Sequence, residues 1–98
     1  MKEKEFKEWL INERHQAESA AQSRLNNCRR LDAVYDLDKQ YESDHCKTLL
    51  DILIYSRAKE RASAPARHAI PIDGSIYGGT ASLRAALKRY VEFRDAEL

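Results

Sequence analysis

A row of hydrogen-bonding and basic side chains lies along one face of the second predicted helix and is the part of the sequence best suited to chemistry. Ser19, Ser23, Asn27 and Arg30 recur at helical spacing, and Gln16, Arg24 and Asn26 lie beside them. Ser and Asn side chains bond phosphate oxygens or base edges, and Arg neutralises phosphates or contacts guanine. Residues 19–31 contain no acid, although 16 of the 98 residues are acidic. The row therefore predicts a contact with duplex DNA, and the alternative is a polar helix face that only meets water.

A second candidate lies where Gly78 and Gly79 precede the last predicted helix, which we expect to begin with Thr80 or Ser82 as its cap. Free N–H groups at a helix start, glycines that permit close approach and the nearby Arg84 are suited to holding a phosphate. The Gly-Lys-Ser/Thr ending of a P-loop and the strand of a dinucleotide site are both missing. An ordinary capped helix after a turn is the alternative interpretation.

Basic residues before and within the last predicted helix extend this candidate if folding brings them together. They are Arg57, Lys59, Arg61, Arg67, Arg84, Lys88 and Arg89. From the two candidates we predict one nucleic-acid interface. We assign its contacts to Ser19, Ser23, Arg24, Asn27, Arg30, Thr80, Arg84 and Lys88.

The histidines, cysteines and acids do not form a pattern that predicts a metal site or catalysis. His15, His45 and His68 lack the spacing of zinc ligands, and the acids fall where helix capping accounts for them. No nucleophile has a base at a recognisable spacing. Cys28 and Cys46 are far apart in sequence, which is typical of two reduced core thiols in a cytosolic chain. We therefore predict no enzyme activity, cofactor, metal or small-molecule substrate.

The elements that position these residues are predicted to be helical throughout. All five Gly and Pro residues fall between Pro65 and Gly79, so chain breaks concentrate in one connection. This connection also carries apolar residues, which predicts that it is ordered and packs across the helices. We expect an all-α fold, a compact four-helix orthogonal bundle that forms one domain over residues 1–98. Apolar spacings of three and four predict helices over about 4–12, 18–35, 41–61 and 80–94.

The predicted core follows one apolar stripe on each helix. The third helix is expected to be central, because nearly every position from Leu49 to Tyr55 is apolar. We expect the aromatic residues to pack in the core rather than to stack on bases. The stripes comprise Phe6, Trp9 and Leu10, then Ala17, Ala21, Leu25, Cys28 and Leu31, then Cys46, Leu49, Leu50, Leu53 and Ile54, and finally Leu83, Ala86, Leu87, Tyr90 and Val91.

Hydropathy and charge restrict the class of protein. The longest apolar run is far shorter than the roughly 20 residues of a membrane span, and the first residues lack the apolar segment of a secretory signal. We therefore expect a cytoplasmic domain without membrane contact. The formal net charge is +1, but residues 14–31 hold four Arg and one Glu, whereas residues 32–51 hold six acids and two Lys. These blocks are either solvated helix faces or the mark of a molecule with a basic side.

Three segments, in their order, resemble the small helical core-binding domain of phage integrases and other tyrosine recombinases. The segments are Phe6-Lys7-Glu8-Trp9-Leu10, Ser19-Ala20-Ala21-Gln22-Ser23-Arg24-Leu25 and Leu49-Leu50-Asp51-Ile52-Leu53. The resemblance covers about residues 1–60. It implies a helical bundle that clasps duplex DNA, with contacts from Ser19, Ser23, Arg24 and Asn27.

The chain also departs from that family. It contains no recombinase catalytic domain, and residues 70–83 match no integrase pattern, so recombination is not implied. These residues resemble the tails of small helical modules from bacterial mobile elements and restriction systems.

Two functions of different classes follow. The first is a small DNA-binding module of bacterial or mobile-element origin, which contacts duplex DNA through the second helix and the basic last helix. If six Lys and Arg side chains engage phosphates, affinity falls by roughly three decades or more between low and moderate salt. The alternative is a protein-interaction module, an inhibitor or adaptor, whose acidic 36–51 surface docks on a basic partner. A homodimer anchored by Trp9 or Tyr77 is a further option.

Overall fold

The computed structural model describes residues 1–98 and contains helices and no strands, which confirms the all-α prediction. It has six helices rather than the predicted four. The first two predicted helices agree with the structure to within a residue. No helix combines the length and the apolar character needed to cross a bilayer. The helices are α1 (Glu3–Asn12), α2 (Glu18–Tyr35), α3 (Leu37–Asp44), α4 (Lys47–Ile52), α5 (Arg57–Arg61) and α6 (Ile76–Ala96).

The centre of the fold is the pair formed by α2 and α6, the two longest helices. Each turns an apolar stripe to the other, because its buried residues recur every three or four positions. The Cys28 thiol donates a hydrogen bond across this interface to the Ala86 carbonyl, with 3.4 Å between sulfur and oxygen. The predicted third helix is therefore not the central one. The stripes are Ala21, Leu25, Cys28 and Leu31 on α2 and Thr80, Leu83, Ala86, Leu87, Tyr90 and Phe93 on α6.

α1 is fastened to α6 by its aromatic face. Phe6 and Leu10 are fully buried, as predicted. The Phe6 ring meets the Tyr90 ring edge-on, with 5.8 Å between the centroids, and the partly buried Trp9 lies at the same distance from Phe93. Aromatic pairs of this kind contribute about 0.5–1.5 kcal/mol each beyond the area that they bury.

The single helix predicted over residues 41–61 is wrong, because the chain breaks twice within that range. At the first break, His45 and Cys46 have φ of 55° and 63°, in the left-handed region that a helix interior excludes. Asp44 then accepts hydrogen bonds from the backbone N–H and the hydroxyl of Thr48, at 3.0 and 2.5 Å. The left-handed residues thus end α3, and the Asp44 side chain holds the first turn of α4.

The second break separates α4 from α5. α4 ends at Ile52, and the Ser56 hydroxyl caps α5 by accepting the Lys59 N–H at 3.1 Å. Ile54 falls in the break and is 49% exposed, although its apolar character predicted burial. Ala17, placed on the predicted stripe of the second helix, is exposed as well, because it precedes α2 as its N-cap.

The connection over residues 62–75 packs across the helices, which confirms that part of the prediction. The Ala69 N–H donates to the Tyr35 hydroxyl at 2.7 Å. Ile70 is buried in the core, and Ile72 packs against it from the edge. The connection is therefore ordered by contacts to α2 and the core.

α6 begins four residues earlier than predicted. Its N-cap is Ser75 rather than Thr80 or Ser82, and the Ser75 hydroxyl accepts the Gly78 N–H at 3.1 Å. Gly78 and Gly79 therefore lie inside the helix. Because glycine is a poor helix former, the sequence indicated a later start.

Candidate nucleic-acid interface

Four of the five residues predicted on the second helix lie on the side of α2 that is turned away from its buried stripe. Ser19, Ser23 and Arg30 are exposed, and Asn27 is half-buried. Arg24 is half-buried because it lies in phase with Cys28 and Leu31 of the buried stripe, so it borders the solvent side rather than lying on it. We call the five residues, with Arg24 at the border, the α2 face.

α1 borders the α2 face on one side and neutralises the cation nearest to it. Arg29 forms a salt bridge with the Glu3 carboxylate. Lys7 of α1 donates to the Gln22 side-chain oxygen at 2.8 Å. These contacts hold α1 against α2. Because Glu3 compensates its charge, Arg29 is less available than Arg30 to bind an external anion.

The connection borders the α2 face on the other side and holds Arg30 in place. Arg30 Nη2 donates to the Pro71 carbonyl oxygen at 2.5 Å. A guanidinium fixed by a neutral acceptor keeps its charge and loses little further freedom when it binds an anion. Arg30 and Pro71 also line a shallow hollow of about 430 Å³ together with Ile72, Asp73 and Gly79.

Nine of the 17 Lys and Arg side chains have no carboxylate within 4.0 Å. All four basic residues that were predicted to contact DNA belong to this group. An unpaired cation binds a phosphate without first breaking an internal salt bridge. The nine are Lys4, Arg24, Arg30, Lys47, Arg57, Lys59, Arg61, Arg84 and Lys88.

The acids of segment 36–51 are, in contrast, mostly engaged within the chain. Asp38 accepts hydrogen bonds from the Tyr90 hydroxyl and from Arg94 Nη1, both at 2.6 Å, and lies 3.2 Å from the Met1 amine. The Tyr90 hydrogen bond above all, with the positive charges of Met1 and Arg94, holds the pKa of Asp38 below its usual range. Glu42 is the one acid of the segment without such a partner. Asp36 pairs with Lys39, Asp51 pairs with Arg67, and Asp44 bonds Thr48.

Thr80 lies beneath the surface, which corrects its assignment to the interface. It is 1% exposed, and its hydroxyl is 2.8 Å from His68 Nε2. His68 Nδ1 accepts the Ile70 N–H at 3.2 Å, so in the neutral ring Nε2 carries the hydrogen and donates it to Thr80. Burial lowers the pKa of His68, and the nearby charge of Arg30 lowers it further. The pair fastens the connection to α6.

The predicted phosphate seat at the start of α6 already holds a carboxylate of the chain. Glu60 of α5 accepts the Tyr77 N–H at 2.6 Å and the Ser75 hydroxyl at 2.8 Å. These two hydrogen bonds, and to a lesser degree the charge of Arg57, lower the pKa of Glu60. The Gly78 N–H is satisfied by Ser75. The helix start therefore binds an internal anion.

Arg84 and Lys88 lie on the side of α6 that is turned away from α2. Lys88 is exposed, and Arg84 is half-buried with its Nε donating to the Leu50 carbonyl at 3.2 Å. Arg84 thus lies beside α4, and no hydrogen bond or salt bridge joins Arg84 or Lys88 to the α2 face. The two halves of the predicted interface are therefore not brought together.

Some of the basic residues before and within α6 lie close together, as predicted, and others do not. α5 contacts α6, and the Arg57 guanidinium stacks over the Tyr77 ring at 4.7 Å from its centroid. Arg67 and Arg89 are instead paired with carboxylates. The stacking was missed from sequence, although Tyr77 lies two helical turns before Arg84 and therefore on the same face.

The two thiols lie beneath these surfaces. Cys28 and Cys46 are buried and unbridged, and burial raises the pKa of each thiol to about 12. Both remain protonated at neutral pH, and a protonated thiol is a weak nucleophile. No three potential ligands from His, Cys, Asp and Glu come together. Hydrogen bonding and positive charge are the chemistry that the exposed helices offer.

Comparisons of the chain with protein-family models, with curated proteins and with solved structures find no match. Function is therefore inferred from the geometry described above.

Proposed function

We propose that this chain is a small, non-enzymatic DNA-binding module that lays its α2 face against duplex DNA. The observation that carries this proposal is Arg30, which has no carboxylate partner and lies among neutral hydrogen-bonding residues, with the unpaired Arg24 at the border of the same face. The two arginines would neutralise phosphates. Ser19, Ser23 and Asn27 would bond phosphate oxygens or base edges.

The length of α2 sets the extent of the proposed contact. From Ser19 to Arg30 the helix extends about 16 Å at 1.5 Å per residue. Val34, one turn beyond Arg30, is 50% exposed and continues the face. Its methyl groups are suited to contact the methyl group of thymine.

The protein-interaction alternative has less support from the charge distribution. Asp38 and Asp51 of its acidic surface already pair with Arg94 and Arg67. A basic partner would have to replace these contacts, so little electrostatic free energy would be gained.

The α2 face alone predicts a gentle salt dependence. Two phosphate contacts correspond to a slope of about −1.8 in log affinity against log salt, or about a twelvefold loss between 50 and 200 mM. The expectation of six contacts and three decades assumed that both halves of the interface met one duplex, and the packing of α2 against α6 argues against that arrangement.

The test is fluorescence anisotropy of a labelled duplex with wild type, Ser23→Glu and Ser82→Glu. Ser23 is exposed and forms no side-chain hydrogen bond, so a glutamate there adds a negative charge to the α2 face without removing a contact of the fold. We expect about tenfold weaker binding for Ser23→Glu, because like charges then face each other. Ser82→Glu makes the same change on an exposed position of α6 outside both basic regions and should leave affinity within about twofold.

An Arg24→Glu, Arg30→Glu double variant should weaken binding further than Ser23→Glu does, with helix content checked by circular dichroism. Absence of wild-type binding at low salt contradicts the proposal. Equal weakening by Ser23→Glu and Ser82→Glu contradicts the assignment to the α2 face.

A further inference from the structure

Three arginines share an arrangement that sets them apart from the others. Arg30 and Arg84 each donate to a backbone carbonyl oxygen, at 2.5 and 3.2 Å, and Arg57 stacks over the Tyr77 ring at 4.7 Å. Each guanidinium is held in position by a neutral group and forms no salt bridge, although the charge of Arg57 also acts on the Glu60 carboxylate. The remaining paired arginines, which contact carboxylates, are Arg14, Arg29, Arg67, Arg89 and Arg94.

Two of the three positioned arginines lie on the outer side of α6. Tyr77, Arg84 and Lys88 are separated by seven and four residues, so they form one stripe along the helix, and Arg57 joins it by stacking on Tyr77. We call these four residues the α6 face. Arg84 uses only Nε in its contact with the backbone, so both terminal nitrogens remain for an anion.

The acid beside this face does not cancel its charge. The Glu60 carboxylate is directed to the Ser75 hydroxyl and the Tyr77 N–H at the start of α6. Arg57, Arg84 and Lys88 therefore present three unpaired positive charges.

We propose that the α6 face binds a second segment of duplex DNA, so that one molecule joins two duplexes. This inference rests on the proposed function of the α2 face. The α2 and α6 faces lie on different helices, each outside the buried stripe through which the two helices pack, and packed helix axes lie about 8–10 Å apart. The two duplexes would thus contact separate surfaces of a molecule that measures 40 × 30 × 19 Å.

The two faces predict separate salt dependences. Three phosphate contacts on the α6 face correspond to about a fortyfold loss between 50 and 200 mM salt, against about twelvefold for the two arginines of the α2 face. Bridging requires both contacts and should disappear at a lower salt concentration than the binding of one duplex.

The test uses two duplexes, one with a donor and one with an acceptor fluorophore, mixed with the full chain at low salt. Energy transfer between the duplexes reports bridging, and anisotropy reports binding of one duplex. Lys88→Glu alters an exposed residue of the α6 face without removing a hydrogen bond or salt bridge. We expect it to lower energy transfer at least tenfold and to change affinity for a single duplex by less than about twofold, whereas Ser23→Glu lowers both and Ser82→Glu neither.

Five results would overturn the inference. Wild type that binds a duplex but never bridges two overturns it and leaves the proposed function intact, whereas no binding at all removes both. Energy transfer that persists in Lys88→Glu shows that bridging arises from another contact, such as a second copy of the chain. Lys88→Glu that weakens single-duplex binding as much as Ser23→Glu shows that one duplex meets both faces. If polyglutamate binds the chain through Lys88 and a second duplex does not bind, the α6 face is a site for an acidic protein.

Discussion

Two adjacent arginines of α2 differ in the residues that they contact. Arg29 and Arg30 are adjacent in sequence, yet Arg29 meets the Glu3 carboxylate and Arg30 meets the Pro71 carbonyl oxygen. The sequence predicted that both are basic residues of a surface helix. It did not indicate which charge is cancelled, because the partners lie 26 and 41 residues away.

Thr80 illustrates the same limit for a polar residue. Its hydroxyl and its place beside two glycines predicted a phosphate contact, but burial and the hydrogen bond to His68 give it a role within the fold. Only His68, twelve residues earlier, reveals this role. Polar character alone therefore did not separate a surface contact from an internal one.

The His68–Thr80 pair predicts that stability falls in mild acid. The pKa of His68 in the folded chain is below its unfolded value of about 6.5, because burial and Arg30 disfavour the charged ring. As the pH drops below that value, the unfolded chain takes up a proton before the folded chain does, so the free energy of unfolding decreases. This contribution is fully present above pH 6.5 and is lost progressively until the folded His68 is protonated.

Urea unfolding at pH 7.5 and 5.5 measures this effect. We expect wild type to lose more stability between the two pH values than His68→Gln, which does not titrate. The other two histidines are present in both proteins, so their contribution cancels in the comparison. An equal loss in both proteins would show that His68 does not carry the pH dependence.

At the scale of elements, the periodicity of apolar residues predicted the ends of α1 and α2 to within a residue. It did not predict the helix breaks after Asp44 and Ile52. The apolar run from Leu49 to Tyr55 indicated one long helix. The actual first break depends on His45 and Cys46 in left-handed conformations and on the Asp44 contact with Thr48. Neither residue in the left-handed region is glycine, so the usual signal for a helix end was absent.

The start of α6 allows a matched pair of substitutions. At Gly78 an added Cβ would lie 3.5 Å from the nearest atom, the Ser75 hydroxyl oxygen, which is ordinary contact. At Gly79 it would lie 2.6 Å from Ile72 Cγ2, so that the side chain would have to move. Gly78→Ala should therefore raise stability by about 0.5–1 kcal/mol, as expected for Ala in place of Gly in a helix.

Gly79→Ala should gain less than Gly78→Ala or lose stability, because displacing Ile72 disturbs the edge of the core. Thermal unfolding checks both variants, and about 1 kcal/mol corresponds to a shift of about 4–8 °C in a domain of this size. A larger gain at Gly79 than at Gly78 would contradict the packing described for this turn.

At the scale of the whole molecule, the sequence predicted the all-α class of the fold. It did not indicate that the basic residues of α2 and α6 would lie on separate surfaces. Arg30 and Arg84 were placed in one interface because both are basic and both lie on amphipathic helices. Their separation follows from the pairing of α2 with α6, which is a long-range contact. Periodicity indicates which face of a helix is buried, but it does not indicate which helix covers that face.

Residues 1 and 98 lie close together in the fold. The Lys2 amine lies 3.0 Å from the Glu97 carboxylate although 95 residues separate them, and Met1 and Leu98 line the same hollow. Adjacent ends permit circular permutation. A chain in which a short Gly/Ser linker joins residue 98 to residue 1, opened between the exposed Asp73 and Gly74, should reach the same helix content and still melt cooperatively. Its melting temperature should be somewhat lower, because the linker removes the positive charge of the Met1 amine beside Asp38. Loss of cooperative melting in the permutant would show that the order of the helices along the chain matters for folding. Cooperative melting would mean that this fold can be inserted into a surface loop of another protein with its α2 and α6 faces exposed.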